Sequence, residues 1–174
     1  MTSQSPIHFG PYEVTNEVFY KTPLCYALVN IKPILPGHVL IIPFRQIQYL
    51  SELSPAEVTD VFSTVQKVQR MLSLTYGTPD ANIAIQNGVG SGQTVPHFHC
   101  HIIPREKGNT EGDTFYLRLQ GEDGNVGGKL FDRERRPETQ GKFPQLKDED
   151  RHERSKEEMR KEASFFAEQM KLVE

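Results

Sequence analysis

Val95-Pro96-His97-Phe98-His99-Cys100-His101-Ile102-Ile103-Pro104 is the stretch on which the fold turns. Histidine and apolar residues alternate through it. Successive side chains of a strand point to opposite faces, so a strand over His97–Ile103 presents His97, His99 and His101 together, roughly 6–7 Å apart. Phe98, Cys100 and Ile102 then point into a core. Three of the chain's six histidines thus line one short surface, and a purely structural role does not account for that. Two chemistries compete for such a surface. Three imidazoles can hold zinc, but positions i, i+2 and i+4 of a flat strand diverge too far to converge on one ion. Alternatively, a neutral imidazole attacks phosphorus while its neighbours carry or donate protons.

The residues just before the strand favour the second chemistry. Gln86-Asn87-Gly88-Val89-Gly90-Ser91-Gly92-Gln93-Thr94 is a glycine-rich turn. Its backbone N–H groups can form an anion-binding nest, to which Ser91, Gln93 and Thr94 add neutral donors. Further out, Cys25–Ile31 and His38–Phe44 read as buried strands, residues 12–20 as a weaker strand region, and Asn82–Gln86 as the strand entering the loop. Ser54-Pro55-Ala56-Glu57 is a helix start, with Ser as N-cap, Pro at N1 and Glu at N3. Val58, Val61, Phe62, Val65, Val68 and Leu72 continue as an apolar stripe to about Ser73. A second capping pair, Ser155 and Glu158, opens a helix whose Met159, Ala163, Phe166 and Met170 fall on one face. The fold class expected is α+β: an antiparallel β-meander packed with one long helix and a C-terminal helix.

Charge divides the chain of 174 residues. Residues 1–104 hold 11 of the 43 Asp, Glu, Lys and Arg residues, and residues 105–174 hold the other 32. The expected organisation is a body over 1–107, a charged flexible or disordered loop over 108–150, and a helix within 151–174 that docks on the body. A net charge of −3 with a pI near 6.1 gives no electrostatic case for duplex nucleic acid. No apolar run reaches the ~18 residues of a membrane span, and MTSQSPIHFG lacks the basic and apolar regions of a secretory leader. Two cysteines, Cys25 and Cys100, make no disulfide framework, which points to a reducing compartment. Cys100 is expected in the core.

His97-Phe98-His99-Cys100-His101-Ile102-Ile103 fits the histidine triad pattern, His-φ-His-φ-His-φ-φ. With Ala27-Leu28-Val29-Asn30, Pro36-Gly37-His38-Val39 and Gly92-Gln93-Thr94-Val95-Pro96-His97, the chain resembles the Fhit branch of the histidine triad (HIT) superfamily from about Phe9 to Arg105. The resemblance implies hydrolysis of dinucleoside polyphosphates, diadenosine triphosphate (Ap3A) to AMP and ADP foremost, through a nucleotidyl-histidine. It implies His99 as nucleophile, flanked by His97 and His101, which bind phosphate oxygens, and Gln86 near the scissile bridging oxygen. Gly92, Gln93, Thr94 and Val95 match the phosphate-holding segment, and Asn30 the ribose-binding asparagine. His38 reads as a buried histidine that supports the triad through hydrogen bonds. The resemblance further implies a homodimer, Mg²⁺ or Mn²⁺ riding on the substrate's phosphates, no organic cofactor, and a cytoplasmic location with the nucleus as a second one. Tyr12 stands where the branch has a histidine, and stacking on adenine is one reading of it. Tyr116 aligns loosely with a tyrosine of the branch's flexible loop. Phosphoramidase, adenylyl-sulfate hydrolase or nucleotidyl transferase activity is the alternative, and a nucleotide-binding signalling module the outsider. The phosphoramidase arrangement has a serine just beyond the triad, where this chain has Pro104-Arg105.

Overall fold

A computed structural model describes residues 5–105 and 153–173. The charged segment expected to be disordered, 108–150, and Tyr116 within it lie outside those residues. Among the described residues are seven strands and two α-helices: β1 (His8–Phe9), β2 (Tyr12–Glu13), β3 (Val18–Lys21), β4 (Cys25–Val29), β5 (Val39–Pro43), α1 (Pro55–Tyr76), β6 (Ala81–Ala84), β7 (Cys100–Pro104) and α2 (Lys156–Met170). The expected α+β class is the observed one.

β1 and β2 form a small hairpin, and the other strands form a five-stranded antiparallel sheet in the order β3-β4-β5-β7-β6. The chain meanders through β3, β4 and β5, crosses over through α1 to the edge strand β6, and returns as β7 between β6 and β5. The histidine strand is therefore interior. The single weak strand region expected over 12–20 is divided between two sheets, and Asn82–Gln86 shortens to Ala81–Ala84, leaving Gln86 in the loop.

His97 and His99 are not in the strand, which begins at Cys100. Pro96 provides no N–H for a ladder, and Phe98 N–H donates instead to Ile47 O at 2.5 Å. Only His101 sits in β7, paired with Leu40 of β5 and Ala84 of β6. The histidines come together, but through an irregular lead-in.

Both faces of the sheet are covered. Cys25, Ala27, Val29, Val39, Ile41, Cys100 and Ile102 face the helices, and Cys100 is fully buried as expected. Tyr26, Leu28, Leu40 and Ile42 face the other way and pack with Ile7, Phe9 and Val95. α1 is capped as its sequence indicates: Glu57 N–H donates to Ser54 Oγ (3.2 Å) and Ser54 N–H to Glu57 Oε2 (2.8 Å). It runs past Ser73 to Tyr76 and buries Val61, Thr64, Val65, Val68, Met71 and Leu72. Phe62, assigned to the stripe, is exposed; one residue is a rotation of about 100°, which carries it off the face set by 61, 65, 68 and 72.

α2 docks through Met159, Ala163, Phe166 and Met170, with the Phe166 ring 5.4 Å from that of Phe19. Full burial of such an aromatic or methionine side chain is worth roughly 1.5–3 kcal/mol, so this face suffices to hold the helix in place. Arg154 fastens the entry to α2. Its Nε donates to Asn30 O (3.1 Å), its own N–H to Ile31 O (3.0 Å), and its Nη1 pairs with Glu162 (2.6 Å).

Candidate active site

The protonation of each imidazole follows from fixed donors and acceptors around it, because a backbone N–H can only donate and a carbonyl can only accept. Gly10 N–H donates to His97 Nδ1 (3.1 Å), so the hydrogen of neutral His97 is on Nε2, which donates to Pro43 O (2.8 Å). Gly10 has φ +54°, and a Cβ there would meet Val95 Cγ1 at 2.6 Å, so this close approach of the β1–β2 turn requires glycine. Ile34 N–H donates to His38 Nδ1 (3.1 Å), so His38 Nε2 carries the hydrogen and donates to His101 Nδ1 (2.9 Å). That leaves an N–H on His101 Nε2. His99 Nδ1 donates to His97 O (2.8 Å), so His99 Nε2 bears the lone pair.

His99 Nε2 and His101 Nε2 are buried and without hydrogen-bond partners among the described residues. The two rings stand 4.9 Å apart, edge to face. A bare nitrogen lone pair therefore lies beside an N–H donor in a water-poor place. A buried polar atom left unpaired costs roughly 1–3 kcal/mol, and two together mark a place built for a ligand. Burial holds the histidines neutral. His99 is lowered to about 4, chiefly by desolvation; desolvation also lowers His97, and lowers His101 well below 6.5 with help from the charges of His99 and His38. A neutral imidazole with its lone pair on Nε2 is the nucleophilic form at neutral pH.

The phosphate-type loop is held from outside. Gln93 Nε2 donates to Gln48 O (3.0 Å), and Leu50 N–H to Asn87 Oδ1 (2.8 Å). Gln93 Oε1 and Thr94 Oγ1 are buried without partners. Gly92 closes a short 3-10 turn over Val89–Ser91, Val95 is buried against Phe9, and Gln86 is 5 % exposed.

Asn30 is fully buried. Its Oδ1 accepts from Lys32 N–H (2.9 Å), and its Nδ2 faces the His38 ring, 3.1 Å from Nε2 and 3.3 Å from Nδ1. His38, expected as a support of the triad, does contact a triad ring directly. His8 is exposed in β1, and its carbonyl accepts from Tyr26 OH (2.8 Å).

A cavity of about 480 Å³ has Phe9, Tyr12, Glu17, Leu28, Lys32 and Met159 among its walls and none of the triad histidines. Phe9 joins cavity to histidines, its ring 5.1 Å from His99 and 5.6 Å from His97. Sequence reasoning missed three contributors here. Phe9 was read only as the start of a resemblance, Glu17 gave no pattern, and Arg154 was passed over as part of a charged run.

Neutral imidazoles joined through Phe9 to a neighbouring cavity, on an antiparallel sheet backed by helices, define a class, and the similarities to known proteins agree with it. Residues 12–108 match the HIT domain. The chain is 44 % identical over 167 residues to a Schizosaccharomyces pombe protein named bis(5'-nucleosyl)-tetraphosphatase [asymmetrical], covering 92 % of each. It is 50 % identical over 121 residues to Saccharomyces cerevisiae bis(5'-adenosyl)-triphosphatase, covering 69 % of this chain and 59 % of that protein. Plasmodium falciparum diadenosine triphosphate hydrolase, solved with cyclomarin A, aligns at a TM-score of 0.70 and 27 % identity, covering 98 % of this chain and 88 % of that one. The chain belongs to the HIT domain family, and within it to the Fhit branch.

Proposed function

We propose that the protein hydrolyses dinucleoside polyphosphates, Ap3A to AMP and ADP foremost, in two displacements at His99. The observation that carries this reading is the pair of unpartnered nitrogens, a lone pair on His99 Nε2 and an N–H on His101 Nε2. The names of the S. pombe and S. cerevisiae relatives support the substrate class. Their difference over chain length makes the tetraphosphate the second substrate to compare.

In the first displacement His99 Nε2 attacks the α-phosphorus and the bond to the bridging oxygen breaks, releasing ADP and leaving AMP on the imidazole. In the second, water attacks the same phosphorus and frees the histidine. Dividing the hydrolysis this way replaces one hard step by two easier ones. His101 donates from Nε2 to a phosphate oxygen. Its orientation comes from His38, and that of His38 from Ile34 N–H. The His97 carbonyl fixes the tautomer of His99. Gln86 stands at the bridging oxygen, and Gly92, Gln93, Thr94 and Val95 hold the remaining phosphates. Asn30 supports the ribose while bracing the Lys32 turn. The cavity walled by Phe9 and Leu28 takes a nucleobase.

Mg²⁺ or Mn²⁺ enters with the substrate, on its phosphates. A homodimer through the free edge of the sheet is part of the proposal: β6 pairs with β7 alone among the described residues and exposes Ile83. Two free cysteines support a reducing location, cytoplasm or nucleus. The test is incubation with Ap3A, diadenosine tetraphosphate and adenosine phosphoramidate, with products separated by chromatography. Fastest formation of AMP and ADP from Ap3A is expected; preferential cleavage of the phosphoramidate would move the protein to another HIT activity.

A further inference from the structure

Glu17 closes the turn that leads into β3, and only 6 % of it is exposed. Its main chain is committed: its N–H donates to Val14 O (3.1 Å), and its carbonyl accepts from Val29 N–H (3.2 Å). Its carboxylate has no hydrogen bond or ion pair with any described residue. Lys32, on the same cavity wall, pairs instead with Glu153 at 3.8 Å. Neither oxygen of the Glu17 carboxylate is among the fully enclosed, unpartnered side-chain atoms, so it keeps an opening to the cavity, where no described residue supplies it a donor. Glu17 lines the cavity that Phe9 connects to the histidines. Its missing donors are those of whatever the cavity receives.

The chemistry of that occupant is restricted. A carboxylate accepts and does not donate, and it repels phosphate. Glu13, Glu17 and Glu153 outnumber Lys32 and Lys156 on the wall, while Phe9, Leu28 and Met159 offer apolar surface. A flat, uncharged ring with N–H groups on its edge fits these walls, and the phosphate chain then runs past Phe9 to the histidines. Among purines, guanine places two donors side by side, N1–H and the N2 amino group, to match the two oxygens of one carboxylate. Adenine offers a single amino group next to an acceptor.

We propose that Glu17 is a specificity-determining residue of the cavity, accepting the N1–H and N2–H hydrogen bonds of guanine and so raising guanine dinucleotides relative to adenine ones as substrates. The proposal rests on the reading of the site as a dinucleoside polyphosphate hydrolase. Glu17→Gln tests it, because it keeps the shape but replaces one acceptor by a donor that opposes N1–H.

The comparison is kcat/KM for diguanosine triphosphate and for Ap3A, in wild type and Glu17→Gln, with the Tm of both free proteins. The expected result is a fall of about tenfold on the guanine substrate, carried by KM, against less than about threefold on Ap3A. Tm should change little, since Gln keeps the shape and no hydrogen bond to a described residue is lost. A ratio of the two kcat/KM values that does not move overturns the proposal, as does a lowered Tm with both substrates affected alike, which would make Glu17 structural. Should the wild type cleave neither dinucleotide, the hydrolase reading itself fails and this inference with it; cleavage of both with a constant ratio removes the inference alone.

Discussion

Replacing His99 by Asn should make the protein markedly more resistant to acid. The folded chain keeps His99 neutral until the pH drops to about 4, because burial opposes its charge. The unfolded chain takes up the same proton near the ordinary histidine value of about 6.5. Between those limits the unfolded state binds more protons, so stability falls as the pH falls through the window. It is fully present above about 6.5 and lost by about 4. Each tenfold difference in proton affinity is worth about 1.4 kcal/mol, so His99 alone removes about 3 kcal/mol over the whole window and about 2 kcal/mol by pH ~4.5. His97 and His101 act in the same direction, so the wild type loses more than this in total. The difference between wild type and His99→Asn reports this group together with its coupling to His101. Urea midpoints at about pH 7.5 and about pH 4.5 measure it, converted with the slope of each transition. An acid loss in His99→Asn equal to that of the wild type would refute the assignment of a buried, neutral His99.

Further outcomes concern the surroundings of the site. Gly37 has φ +79°, and a Cβ there would meet Tyr76 at 2.5 Å, so Gly37→Ala should cost more than about 1 kcal/mol and, through the adjacent His38, lower turnover; urea melts and steady-state rates check this. Burial raises the Cys25 thiol to about 11 and the Cys100 thiol to about 12, so neither should react with a disulfide reagent in the native protein at neutral pH, while two should react in denaturant. Arg154→Met removes the guanidinium hydrogen bonds to Asn30 O at the entry to α2 and the ion pair with Glu162; kcat/KM for Ap3A should fall several-fold, and Arg154→Lys should restore part of it.

What the sequence disclosed was mostly local. Ser54-Pro55-Ala56-Glu57 and Ser155 with Glu158 mark helix starts because a capping box closes within four residues, and both boxes form. The uninterrupted apolar runs of β4 and β5 are legible because both faces of those strands are covered. The alternating histidines pointed to the correct residues by a partly incorrect route. Periodicity put all three in one strand, whereas His97 and His99 are placed by contacts from far along the chain. His97 answers to Gly10 and Pro43, 87 and 54 positions away, and His101 to His38, 63 away. No local pattern carries such information. The same holds for Glu17, a lone acid before a short strand, whose isolation appears only once β4 and α2 close around it.

If hydrolysis runs in two displacements, His99 becomes the phosphorus-bearing group during turnover. Wild type and His99→Asn should be mixed with Ap3A, quenched in alkali, which spares a phosphorus–nitrogen bond, and digested for mass spectrometry. The expected result is one adenylyl group on the peptide holding His99 in the wild type, none in the variant, and loss of the variant's turnover with substrate affinity within about tenfold, or about 1.4 kcal/mol, of wild type. Substantial hydrolysis by His99→Asn, or wild-type turnover with no adduct at the earliest quench times, would contradict it.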